Sequence, residues 1–392
     1  MSRRLLGKIA ACLLFTLAAV SIAVCAVRDI DLTAADGTKL KASYYAAGKP
    51  GPGVLLLHQC NRDRKVWDGL PEQLSAAGLN VLTFDLRGFG ESGGVPRDKA
   101  TPQQIADEQA KWPGDIDLAL QYLQSQPGVK KDVIGVGGAS CGVNNSVQTA
   151  IRHPEVRSLV LLSGTADYKG RQFLRADSKV PALYGYADDD EFPVTIVTTQ
   201  WLYSITADPD KNLVSYKTGG HGAEIFKVHP ELMSVITDWY ATTLIKTPGR
   251  APAAKQAVAT PEQVTILNRI DEPGGAAKVE TQLQAARQKD PKATLFSEEL
   301  VNLMAYERLQ AGDTKGAVEI AKLNVVAYPN SANAYDSLGD AYLADGQKEL
   351  ARASAKQALE LLASDTTDNQ QRKDAIKQSA EEKLKQLGNP AQ

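Results

Sequence analysis

The chain has 392 residues, 43% of them hydrophobic, and a formal net charge of −2. This length and apolar content allow two domains with sizeable cores. Nothing in the near-neutral balance points to nucleic acid or to acidic surfaces as partners.

Arg3, Arg4 and Lys8 precede an uncharged apolar stretch of 19 residues, 9–27. Val24-Cys25-Ala26 then offers small residues for a signal peptidase before Arg28 and Asp29. Residues 1–26 read as a cleaved secretory signal, so the mature protein is expected to be periplasmic or secreted. The stretch just reaches the length that spans a bilayer. An uncleaved membrane anchor is therefore the second reading, and lipidation at Cys25 a third. Loss of 1–26 leaves a net charge of −5 and two cysteines, Cys60 and Cys141. That is an even pair for an oxidising compartment.

Residues 29–34 and 39–45 flank Asp36-Gly37, the signal of a β-hairpin. The apolar run at 54–57 reads as a strand buried on both faces. A polar loop follows to Lys65, then an amphipathic helix with Val66, Trp67, Leu70 and Leu74 on one face. The spacing predicts a strand over 80–85, a helix over 105–124 and strands over 132–138, 159–162 and 181–186. A helix over 194–206, a strand over 213–216 and a helix over 230–244 complete the series. Strands alternating with helices mean a parallel sheet covered on both faces. Function in such sheets gathers at the C-terminal ends of strands, which is where His58, Asp85, Ser140 and the run 188–190 fall.

The strand at 132–138 ends in Gly138-Ala139-Ser140-Cys141-Gly142, and a helical pattern carried by Val143, Val147, Ala150 and Ile151 follows. Strand, glycine-flanked Ser and helix are the context of a G-x-S-x-G nucleophile elbow. The positions two before and two after the nucleophile lie against each other there, and only very small residues fit.

Four motifs occur in order: Leu-Leu-Leu-His-Gln-Cys at 55–60, Asp-Leu-Arg-Gly-Phe-Gly-Glu-Ser at 85–92, the pentapeptide at 138–142 and Gly-Gly-His-Gly at 219–222. In these the chain resembles the α/β-hydrolases, most closely their dienelactone-hydrolase-like branch, over roughly residues 30–245. The resemblance implies a doubly wound, mostly parallel sheet and a serine hydrolase of esters or related acyl bonds, of the carboxylesterase kind. It implies no metal and no organic cofactor. Ser140 would be the nucleophile and His221 the base. Asp190, aligned as Asp190-Glu-Phe, would be the acid, with Asp188 its rival. The N–H groups of Cys60 and Cys141 would form the oxyanion hole, and Gln59 stands where Gly is usual. The two cysteines left after signal cleavage thus fall on the two oxyanion residues, and a disulfide bracing the hole is expected. Cys141 as nucleophile is disfavoured because Val143 would crowd the turn. Arg62 and Arg64 are candidates to bind a substrate carboxylate. Only 17 residues separate Ser163 from Pro181, too few for a large lid, so a small or exposed acyl substrate is expected.

Residues 247–262 read as a linker. From Leu295 the chain repeats at an interval of 34, with Gly312 matched by Gly346 and Ala317 by Ala351. The second unit, Ala334-Tyr335 through Leu338-Gly339, Tyr342, Gly346, Ala351 and Ala358, resembles a tetratricopeptide repeat. The first unit departs from the pattern with Met304 and Arg308. Residues 263–392 are therefore expected to form an all-helical repeat domain, capped by helices before Leu295 and after Thr367. Such a domain binds a peptide or protein partner, or else docks on the hydrolase part or roofs its active site. A peptidase of the same fold, and a repeat-based binding module with a non-catalytic scaffold, are the competing functional readings.

Overall fold

The computed structural model describes residues 27–176, 179–252, 259–366 and 368–388. The expected signal segment, and with it Cys12 and Cys25, lies outside them. Among the described residues no helix is long and apolar enough to cross a membrane.

The chain runs β1 Val27–Thr33, β2 Lys39–Tyr45, β3 Gly51–Leu57, α1 Leu70–Ala76, β4 Asn80–Phe84, α2 Pro102–Gln109, α3 Trp112–Ser125, β5 Val129–Ala139, α4 Cys141–Arg152, β6 Val156–Leu162, α5 Tyr168–Arg175, β7 Ala182–Ala187, α6 Pro193–Ile205, β8 Lys211–Tyr216 and α7 Glu231–Tyr240. The eight strands form one sheet in the order β1-β2-β4-β3-β5-β6-β7-β8. β1 pairs antiparallel with β2, and β2 with β4. Every pair from β4 to β8 is parallel. The central strands β3, β4, β6 and β7 are buried along almost their whole length, as a sheet covered on both faces requires.

The sequence expectation of one helix over 105–124 is corrected. The chain breaks at Ala110-Lys111, and α3 restarts with Pro113 in its first turn, where the missing N–H costs nothing. Likewise the helix expected from Val66 begins as a 3₁₀ turn, Arg64–Trp67, and restarts as α1 after Gly69, whose φ is +91°. The interval between Ser163 and Pro181 holds the short helix α5, whose N-cap Asp167 accepts from Gly170 N–H.

A helical region follows: α8 Glu262–Asp271, α9 Gly275–Lys289, α10 Glu298–Gln310, α11 Thr314–Ala327, α12 Ala332–Ala344, α13 Lys348–Leu362 and α14 Gln370–Leu387. α8 packs on α9, α9 on α11, and each helix from α10 to α13 on the next, while α12 also touches α10 and α14. The small residues Ala305, Ala317 and Ala351 are buried between them. Tyr306 Oη donates to Asp340 at 2.7 Å. These residues stand 34 positions apart on α10 and α12, equivalent places in the repeat. Lys383 of α14 reaches across Gly339 to Asp336 and Asp340 at 3.0 and 2.6 Å.

This region docks on α5 and α6. At the junction Arg171 is 1% exposed. Its guanidinium makes a bidentate pair with Asp271 at 3.1 and 3.0 Å and bonds Glu307 at 2.6 Å. It also lies 4.5 Å over the Trp201 ring. Arg308, which breaks the repeat pattern, is buried 3.8 Å over Tyr168 and donates to the Asp271 carbonyl. The side chain that fails the repeat motif is used for docking.

Candidate active site

The elbow has the predicted form. Ser140 caps α4 with φ +53° and ψ −118°, a conformation a non-glycine residue holds only when its surroundings enforce it. A Cβ placed on Gly138 would lie 2.0 Å from the Gly142 carbonyl oxygen, and one on Gly142 would lie 2.3 Å from that of Leu57. Only glycine fits either side of the turn. Ser140 N–H is held by Leu162 O at 2.9 Å, which fixes the tip against the neighbouring strand.

The loop after β8 brings His221 in. Its Nδ1 lies 3.0 and 2.9 Å from the two oxygens of Asp190, and both residues are buried. Asp190 also accepts from Phe192 N–H at 2.9 Å and from Thr195 Oγ1 at 2.8 Å. Burial pushes the Asp190 carboxyl upward, but these donors more than offset it and hold the group below its ordinary range. A carboxylate that keeps its charge orients the ring with Nδ1 as donor, leaving Nε2 as the basic nitrogen. Asp188 instead pairs with Lys217 at 2.7 Å, and Asp189 accepts from Gly220 N–H at 2.9 Å. The structure thus brings Asp190, not Asp188, to His221. The Phe192 ring stands edge-on to the imidazole with centroids 4.8 Å apart.

The other histidines are engaged elsewhere. His58 is fully buried; its Nε2 accepts from Leu86 N–H at 2.9 Å and its Nδ1 bonds Gln59 O at 2.8 Å. Burial lowers its basicity, which suits a neutral ring fixing the loop after β3. His153 lies against Asp117, and His229 stacks on Tyr216.

Cys60 and Cys141 form a disulfide with Cα atoms 5.8 Å apart. The N–H of Cys141 is the first of α4 and has no intrahelical acceptor. The bridge therefore holds the loop carrying the Cys60 N–H against the helix start carrying the Cys141 N–H. Gln59, the departure from the resembled pattern, is fully buried beside them.

The two arginine candidates differ in placement. Arg64 is corrected: it is 4% exposed and its guanidinium bonds Asp85 at 2.6 Å, Ser43 at 3.1 Å and Glu91 at 3.2 Å. Spent on a buried ion pair, it is not open to a substrate. Arg62 is exposed but bonds Glu224 at 2.5 Å. Sequence reasoning used Phe192 only to align Asp190 and gave its ring no role, and it missed Thr195, whose only signal was its place five residues after Asp190. Among the described residues no His, Cys, Asp and Glu side chains cluster so as to hold a metal ion.

Residues 52–196 match the family model described as the alpha/beta hydrolase fold. A thiohydrolase of Aspergillus aculeatus is 27% identical over 135 residues, 34% of this chain and 40% of the relative. An uncharacterised protein of Mycobacterium tuberculosis is 32% identical over 138 residues, 35% of this chain and 45% of the relative. The chain thus spans less than half the length of these relatives. The solved structure of an esterase from Pyrococcus furiosus is 22% identical and covers 56% of this chain and 94% of its own, with a TM-score of 0.43. Sheet order, elbow and family match agree: the chain is an α/β-hydrolase-fold protein in which an all-helical region follows the hydrolase sheet.

Proposed function

We propose that the protein is an exported serine hydrolase of esters or related acyl bonds. Ser140 Oγ attacks the substrate carbonyl carbon while His221 Nε2 takes its proton. Asp190 orients the ring and stabilises the imidazolium. The carbonyl oxygen becomes an oxyanion received by the Cys60 and Cys141 N–H groups, each worth about 2.7–4 kcal/mol of barrier in comparable sites. The imidazolium then protonates the leaving group, which departs and leaves an acyl-Ser140. Water, deprotonated by His221, attacks the acyl carbon; the bond to Ser140 Oγ then breaks, the imidazolium returns its proton to Oγ, and the carboxylic acid leaves.

The observation that carries this reading is the Asp190–His221 pair on the loops beside the elbow. Phe192, 45% exposed and edge-on to the base, is a surface on which a small apolar group of the substrate can rest. The matching thiohydrolase adds thioesters to the bonds to be tried. Export rests on the N-terminal segment, and any peptide or protein partner on the repeat pattern of the helical region.

The test is a fluorophosphonate probe on purified wild type beside Ser140→Ala. Labelling is expected in the first and not in the second; a folded wild type that stays unlabelled defeats the proposal.

A further inference from the structure

Gln59 stands between His58 and Cys60 and is 0% exposed. Its side chain does not serve its own loop alone. Nε2 donates to Asn61 Oδ1 at 2.9 Å and to the main-chain oxygen of His221 at 3.3 Å, and Oε1 accepts from Ala223 N–H at 2.9 Å. Ala223 is itself buried, so that N–H needs an acceptor. With glycine at 59, both main-chain groups would lose this partner.

The base loop is shaped to receive the amide. Gly222 has φ +63°, and a Cβ there would lie 2.4 Å from Gln59 Oε1 and 3.3 Å from Ala139 Cβ. The loop therefore presses the residue after the base onto both the amide and the strand end next to Ser140. Along the chain, Cys60 follows Gln59 directly, and the disulfide carries the connection on to Cys141.

Resting on the acyl-hydrolase reading above, we infer that Gln59 is a positioning residue that locks the base loop to the oxyanion loop, so that imidazole and hole move as one unit. The lock fixes the distance between the group that takes the proton and the donors that receive the charge. Misplacement of about 1 Å between such groups costs on the order of a hundredfold in rate.

The experiment compares wild type with Gln59→Met, which keeps volume but makes neither bond, and Gln59→Glu, which keeps an acceptor for Ala223 N–H and no donor for the His221 carbonyl. Tryptophan fluorescence verifies folding, and Gln59→Glu decides if the Met variant does not fold. Two readouts are taken: amide hydrogen exchange of peptides over 219–228, and kcat and KM for p-nitrophenyl acetate. Exchange there should accelerate about tenfold or more in Gln59→Met and less in Gln59→Glu, with the β5 and β6 amides unchanged. The kcat should fall roughly ten- to a hundredfold with KM within about twofold. Unchanged exchange over 219–228, or a kcat within twofold of wild type, overturns the inference. A wild type with no turnover removes the acyl-hydrolase reading and the catalytic half of this one, while the exchange data still judge the lock.

Discussion

Reduction of the Cys60–Cys141 disulfide should act on stability and catalysis by separate routes. The bridge closes a loop with a sequence separation of 81. Chain-entropy reasoning assigns such a loop about 4.5 kcal/mol of stability at 25 °C, with about 2 kcal/mol a realistic floor. All four tryptophans, at 67, 112, 201 and 239, are buried in the hydrolase part and none lies in the helical region. Their fluorescence therefore reports the unfolding of one part alone. With a denaturant slope of about 5 kcal/mol/M in guanidinium chloride, reduction should lower the midpoint by roughly 0.4–0.9 M. The catalytic effect should appear before unfolding, because the bridge sets the separation of the two proposed oxyanion donors. In reducing buffer without denaturant, fluorophosphonate labelling should slow while the fluorescence spectrum stays native. The measurement uses protein beginning at Val27, so that Cys12 and Cys25 do not contribute. A midpoint unmoved by reduction, or two titratable thiols in the unfolded, unreduced chain, would refute the reasoning.

Asp190→Asn should lower kcat by about three to four orders of magnitude by favouring the wrong imidazole tautomer, whereas Asp188→Asn should stay within about twofold; comparable losses would reopen the assignment. Arg171→Met should destabilise the protein by about 3–5 kcal/mol, because Asp271 and Glu307 keep buried charges without their shared partner. Limited proteolysis between the hydrolase part and the helical region should accelerate, and unchanged cleavage would count against the junction. Burial pushes Asp271 upward, but Arg171 and Arg175 more than offset it and hold its carboxyl low. A depressed carboxylate stabilises above its unfolded pKa, so its share should be intact above about pH 4 and vanish as pH falls through its lower folded value. Thermal unfolding of wild type and Asp271→Asn at stepped pH should converge there and not near neutrality.

Much of the hydrolase part was legible because its signals are local. Buried parallel strands are short apolar runs, and an elbow needs two glycines at fixed offsets. The Cys60–Cys141 pair was legible only through the family resemblance, which assigns both residues to the expected oxyanion hole. What escaped depended on partners distant in sequence. Arg64 read as an exposed loop cation because Asp85, which buries it, is 21 positions away. Arg171 gave no signal because its partners stand 100 and 136 residues on. Gln59 and Arg308 looked like lapses from their motifs, and each proves to bond a second segment of the chain.

The buried Arg171 also bears on how such a chain can be divided. Its guanidinium rests on Trp201 of the hydrolase part, but both carboxylates that neutralise it come from the helical region. A gene cut after residue 246 would yield a hydrolase with an orphaned cation and an uncovered flank on α5 and α6. The complementary fragment would present Asp271 and Glu307 without the cation that pairs with both. Each fragment would be penalised for the other's absence, so inheritance as a single reading frame is favoured over two freely exchangeable modules.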